Sequence, residues 1–205
     1  MPGHAHADSL SFELSLDQQR ILVNSGTSVY GIGTERQQQR GTAAHNTIQL
    51  DGMNSSDVWS GFRVGRRARV QIEKFETQPT PLLQAAHDGY RHLPGHPAHH
   101  RLWEMKENEL TITDTLEGKG NHFAEVFFHF HPDYHLTLTS SATIAVQQGN
   151  NTVVLLIHVD NRLNWEIKPG LWHPSFGQSE NNIHLHGQYR GFLPIHFSTL
   201  FSWKR

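Results

Sequence analysis

Leu110-Thr111-Ile112-Thr113-Asp114-Thr115-Leu116 alternates with period two, and Glu117-Gly118-Lys119-Gly120-Asn121 follows it as a loop. Side chains of a strand point to opposite faces in turn, so the stretch reads as a half-buried β-strand closed by a turn. The pattern extends in both directions. Upstream, Leu10, Phe12, Leu14 and Leu16 alternate with Ser9, Ser11, Glu13 and Ser15. Asp17-Gln18-Gln19 then turns the chain, and Ile21-Leu22-Val23 returns as a partner before Ser25-Gly26 breaks the run. Residues 47–50 form a short strand ending in an Asp51-Gly52 turn. Residues 64–75 and 101–105 read as longer strands, and 123–131, 135–143, 152–159, 164–167, 183–186 and 195–203 continue the series.

No window carries a capped helical stripe; residues 82–87 are the one short helix candidate. Residues 89–97 are rich in Gly and Pro and read as a surface loop. Closely spaced strands with Gly, Asn and Asp turns predict an all-β fold, an antiparallel β-sandwich of stacked sheets. Without an internal repeat, low-complexity tract or linker, residues 1–205 read as one domain.

Composition excludes several functions. The net charge is -2, so no global field calls for nucleic acid or an anionic membrane. There are no cysteines, hence no disulfide framework and no thiolate metal site. The run Val153-Val154-Leu155-Leu156-Ile157 is far too short to span a membrane, and no basic region followed by an apolar stretch marks a signal peptide. The 17 histidines are scattered along the chain, unlike a purification tag.

Several residues carry chemistry. His4 and His6 stand two apart before a strand pattern, and two imidazoles at that spacing share a strand face, as a metal site or cleft requires. Ala44-His45-Asn46-Thr47 is the second histidine signal. Arg63, Arg66, Arg67 and Arg69 line a path for an anionic sugar chain or form a solvated strand face. His129, His131 and His135 offer a conceivable metal cluster, against a partly exposed histidine face opposite core Phe128 and Phe130; His184 and His186 are a further pair. Tyr90 and Trp172 are candidates to stack on sugar rings, or else core aromatics.

His4-Ala5-His6-Ala7-Asp8-Ser9-Leu10-Ser11-Phe12 resembles the HGHADxLSF signature of heparinase II/III-like polysaccharide lyases. Arg40-Gly41-Thr42-Ala43-Ala44-His45-Asn46-Thr47 with Asp51-Gly52 resembles that family's RSTAAHNTxxxDG segment. Residues 59–67, His87-Asp88-Gly89-Tyr90, His100-Arg101, Phe130-His131-Pro132 and Pro174-Ser175-Phe176-Gly177 match in the same order. Members place an α/α toroid before a C-terminal domain of stacked sheets, a super-sandwich, and the chain matches only that C-terminal part. The resemblance implies cleavage of uronate-containing polysaccharide by β-elimination, with the main acid/base tyrosine in the toroid and a periplasmic or secreted location. Acidic polysaccharide and a toroid domain are the implied partners; Arg63, Arg66 and Tyr90, read from their residue types, are the candidate substrate contacts. His4 matches the histidine contributed to the catalytic cleft. His6 and His45 match two ligands of a structural metal, usually zinc; calcium suits imidazoles less well. The third ligand is an aspartate in a DSG segment, where this chain reads Asn24-Ser25-Gly26, and an amide brings no charge to offset the ion. The alternative is a non-catalytic domain that binds acidic glycan or acts as a scaffold.

Overall fold

The Leu110–Leu116 alternation lies inside a strand near the middle of an eight-stranded sheet. The structure, a computed structural model, describes residues 4–150 and 152–204. In chain order come β1 (Leu14–Leu16), β2 (Gln19–Leu22), helix α1 (Thr34–Arg40), a 3-10 turn (Thr42–Ala44), β3 (Ile48–Leu50), β4 (Val58–Trp59) and β5 (Arg63–Val64). Then follow β6 (Val70–Glu76), β7 (Leu82–His87), β8 (Ala98–Lys106), β9 (Glu109–Glu117) and β10 (Asn121–His129). The rest are β11 (Tyr134–Ser140), β12 (Thr143–Gln148), β13 (Thr152–Val159), β14 (Asn164–Trp172), β15 (Glu180–Phe192) and β16 (Ile195–Ser202).

The large sheet runs β11-β12-β13-β16-β9-β8-β7-β6, and a four-stranded sheet runs β14-β15-β10-β3. Their strand pairs are all antiparallel, and β1–β2 and β4–β5 are separate hairpins. Asp17 and Gln18 both take positive φ at the β1–β2 turn, the left-handed pair that matches strand twist in a two-residue hairpin. One buried cluster joins the layers. Ile112, Leu116, Phe197 and Phe201 from the large sheet meet Val126, Phe128 and Leu185 from the small one. Phe128 and Phe201 pack edge to face with centroids 5.2 Å apart, and burying each such side chain contributes roughly 1.5–3 kcal/mol.

Several elements depart from the sequence reading. Leu82–His87 is a strand paired on both sides, since a six-residue segment gains more from two ladders than from one helical turn. Residues 64–75 divide into β5 and β6, and 135–143 covers a hairpin turn between β11 and β12. Residues 10–13 are held without being paired as a strand. Helix α1 was not foreseen because Thr-Glu-Arg-Gln-Gln-Gln-Arg has no apolar stripe. It is fixed by polar bonds: fully buried Arg36 donates to the Gly61 carbonyl (3.2 Å), and fully buried Arg40 to those of Ser60 and Arg63 (both 3.1 Å). Among the described residues no helix is long and apolar enough to cross a membrane.

Candidate functional site

The segment carrying His4 and His6 is not a strand, so the expectation that both rings share a strand face is not met. It is nevertheless firmly tied. Ala7 N–H donates to the Arg40 carbonyl (2.9 Å), Arg40 donates to the Ala5 carbonyl (3.0 Å), and Thr42 Oγ1 donates to that of Ala7 (2.8 Å). Asn46, fully buried, donates through Nδ2 to the carbonyls of Phe12 (2.7 Å) and Val23 (3.1 Å) and accepts from His129 N–H (2.7 Å). Its amide thus joins three segments and has both ends satisfied.

His6 and His45 do converge. Nδ1 of His6 lies 3.3 Å from Nε2 of His45. On its far side, His6 Nε2 faces Arg36 Nη1 and Thr27 Oγ1, each at 3.4 Å. Arg36 has only protons to give, so its contact assigns His6 as the Nδ1–H tautomer, which donates to His45. Burial, with Arg36, Arg40 and His4 adding repulsion, lowers the His6 pKa to about 4. Burial also holds His45 well below the usual imidazole value.

Two neutral imidazoles at 3.3 Å match one edge of a tetrahedral zinc site. The other donors do not fit. Asn24 turns Oδ1 to the Gly26 N–H at 3.0 Å and makes no hydrogen bond with either ring. His45 Nδ1 is buried without the acceptor that would orient a ligating imidazole. Among the described residues, no group of three or more His, Cys, Asp or Glu is placed to hold a metal.

His4 points outward into an aromatic collar. Its ring meets Tyr30 edge-on at 5.2 Å and Phe62 at 6.1 Å, and Phe176 closes on Tyr30 at 4.8 Å. Tyr30, Phe62 and Phe176 are 41%, 49% and 62% exposed, enough to offer ring faces to a ligand. The Arg36 guanidinium lies 5.2 Å from the Tyr30 ring centroid. Gly26 lets the chain before Tyr30 pass against His173: φ is +79°, and a Cβ there would meet the His173 carbonyl oxygen at 2.1 Å. Phe62 and Phe176 fall within segments that match a family motif, a signal that could have picked them out; nothing in the sequence pointed to Tyr30.

The arginines divide. The Arg63 carbonyl accepts from Arg40, and the residue's side chain is exposed. Arg66 is committed to structure: it ion-pairs with Asp57 at 2.7 Å and donates to the carbonyls of Ser55 and Gly89. Tyr90 requires a correction. It is fully buried, and its hydroxyl donates to the Ile48 carbonyl at 2.7 Å, so no sugar reaches it. Trp172 is also largely buried, against His131 (4.5 Å) and the Arg20 guanidinium (5.7 Å). His129 is not on an exposed face, because the 3-10 turn covers it and its Nε2 meets the Ala43 carbonyl at 2.9 Å.

The sandwich and the tied N-terminal segment agree with a known profile: the family described as "Heparinase II/III-like, C-terminal" matches residues 1–204. The chain belongs to this family. Heparan sulfate lyase HepC from Pedobacter heparinus superimposes on this heparinase II/III-like chain with TM-score 0.81 at 16% identity, covering 98% of this chain and 31% of that one. A mutant of the same enzyme gives 0.80 at 18% identity, covering 98% and 32%. A heparinase III gives 0.76 at 14% identity, covering 98% and 30%. At such identities the likeness establishes the fold. The chain spans about a third of the length of these relatives. No curated protein matches it in sequence.

Proposed function

We propose that this chain is the sheet-domain wall of a polysaccharide lyase cleft, acting on uronate-containing polysaccharide by β-elimination. In that reaction a base removes the C5 proton, the C4–O4 bond breaks, a C4=C5 double bond forms, and O4 leaves with a proton. His4 is assigned to the cleft as an acid/base or carboxylate-binding group. The exposed Arg63 is assigned to neutralise the C5 carboxylate, which acidifies the C5 proton. A separate α/α toroid domain supplies the main tyrosine. The observation that carries this reading is His4 itself: it is exposed in the collar of Tyr30, Phe62 and Phe176 while the backbone around it is pinned. Rigid backbone beneath a solvent-facing imidazole is what a preorganised site requires.

The test mixes the chain with a toroid domain from a relative and follows unsaturated uronate by its near-ultraviolet absorbance. Turnover that needs both parts and falls with His4→Ala supports the reading; turnover indifferent to His4 overturns it. The second reading, a non-catalytic glycan-binding or scaffold domain, is favoured if acidic glycan binds and no toroid restores turnover. The zinc implied by the resemblance stays a separate proposal for His6 and His45, supported by their spacing and opposed by the Asn24 geometry. Action on external polysaccharide goes with a periplasmic or secreted location, proposed on the same basis.

A further inference from the structure

Away from His4, two loop segments face each other across a hollow. Residues 65–69 link β5 to β6, and 88–92 follow β7. They are tied by Arg69 N–H to Asp88 Oδ1 (2.7 Å), by Asp88 N–H to the Arg69 carbonyl (3.4 Å), and by Arg66 to the Gly89 carbonyl. Gly89 lets the second segment pack closely on the chain beneath it, since a Cβ there would meet the Ser55 carbonyl oxygen at 2.4 Å. The cavity measures about 760 Å³, and Arg66, Arg67, Arg69, Arg91, His92 and Asp88 contribute to its lining.

Its charge is out of keeping with the chain. A protein of net charge -2 with 17 Lys and Arg brings four arginines to one hollow. Arg66 is neutralised by Asp57. The side chains of Arg67, Arg69 and Arg91 form no ion pair among the described residues, and all three are exposed. Asp88 is the one acid in the lining, and one of its oxygens is already spent on Arg69 N–H. Clustered guanidiniums repel one another, and a ligand with several carboxylates or sulfates removes that repulsion while meeting the planar donors two at a time.

We infer that this hollow is a second binding site for an acidic glycan, an exosite that grips the polymer away from His4. The ligand class rests on the lyase reading above; the site itself does not. Phe62 packs beside His4, and Arg67 is five residues further on, so the Cα atoms of Phe62 and Arg67 lie no more than roughly 18 Å apart. That span is within the length of a polyanion of several sugar rings held by Arg67, Arg69 and Arg91. The lining offers no Phe, Tyr or Trp on which bases could stack, which disfavours single-stranded nucleic acid.

The experiment measures binding of the intact chain to a heparan sulfate decasaccharide, a hyaluronan decasaccharide and a single-stranded DNA of matched charge, at several salt concentrations. The wild type is expected to bind at least one glycan. The double variant Arg67→Ala/Arg91→Ala should weaken that binding about tenfold or more and flatten its salt dependence. Arg190→Ala, a remote cation packed on Phe123, should change neither. The paired lysine variant should keep the salt dependence and lose part of the affinity, as bidentate contacts require. Unchanged glycan binding by the double alanine variant, or no glycan binding by the wild type, overturns the exosite. Equal binding of DNA with equal sensitivity overturns the glycan assignment. Glycan binding through these arginines without turnover in the two-part assay sinks the lyase reading alone.

Discussion

The Nδ1 atom of His6 lies 3.3 Å from Nε2 of His45, edge to edge across 39 residues of chain. The contact exists because Arg40 and Thr42 clasp the N-terminal segment against the 3-10 turn that presents His45. Arg36, at 3.4 Å on the other side of His6, makes the pair an imidazole–imidazole hydrogen bond in this conformation.

For zinc, the native chain should bind weakly, because two neutral imidazoles and an amide bring no charge against the ion. Asn24→Asp supplies that charge and should raise affinity by about tenfold or more. His45→Ala in the same background should abolish the gain. Competition against a chromophoric chelator at neutral pH reads both effects. An Asn24→Asp variant no tighter than wild type means that residue 24 does not reach the pair.

Arg101 and Asp114 form the second buried polar centre. Arg101 donates to Asp114 at 2.7 and 3.0 Å and to the carbonyls of Leu10 (2.8 Å) and Asn46 (2.6 Å), with both side chains essentially inaccessible. Burial raises the Asp114 pKa, but Arg101 and His99 outweigh it and hold the carboxyl below its usual range. Arg101→Met strands a buried charge and should cost roughly 3–5 kcal/mol in urea unfolding. Arg101→Met/Asp114→Leu should recover much of that loss. A single variant within about 1 kcal/mol of wild type would falsify the role given to this pair.

The strands were legible because a sandwich buries one face of each, and that constraint writes period two into segments such as Leu110–Leu116. Asp114 shows the limit: it occupies the inward phase of that alternation and is buried only because Arg101 and His99 meet it. Helix α1 was illegible because its arginines are buried by bonds to carbonyls, which leave no apolar period. The His6–His45 contact was implied by the family resemblance, while the Asn24 geometry was not legible, since an Asx turn to Gly26 depends on local backbone. Tyr90 misled because an exposed motif tyrosine and a core tyrosine look alike in one dimension.

By itself, the chain is expected to form no measurable unsaturated product. Of its tyrosines, Tyr90 and Tyr134 are buried, and Tyr189 donates to the Phe192 carbonyl at 3.2 Å. Tyr30 alone is exposed beside His4. With the toroid supplied, His4→Ala should lower the rate by roughly 10²–10⁴, the usual weight of one acid/base group. Tyr30→Phe keeps the ring of the collar and should leave the rate within a few-fold. Robust turnover by the chain alone, lost in Tyr30→Phe, would move the acid/base tyrosine onto this domain.

Acid should unfold the chain through a second set of histidines. Gly89 N–H donates to His87 Nδ1 at 3.1 Å, which assigns the proton of His87 to Nε2. That proton is donated to His99 Nδ1 (3.2 Å), and His99 Nε2–H is donated to Asp114 (2.6 Å). Burial lowers the pKa of His87 well below 6.5, with His99 and Arg101 adding repulsion, and burial lowers His99 although Asp114 pulls it back. Folded, both rings take up protons less readily than in the unfolded chain, where they titrate near 6.5. Stability is therefore complete above about pH 6.5 and falls below it, as the unfolded chain takes up protons that the folded chain refuses. His87→Gln removes one titrating group and should flatten the fall in melting temperature between about pH 6.5 and 5. The same slope in variant and wild type would show that acid lability arises elsewhere in the sandwich.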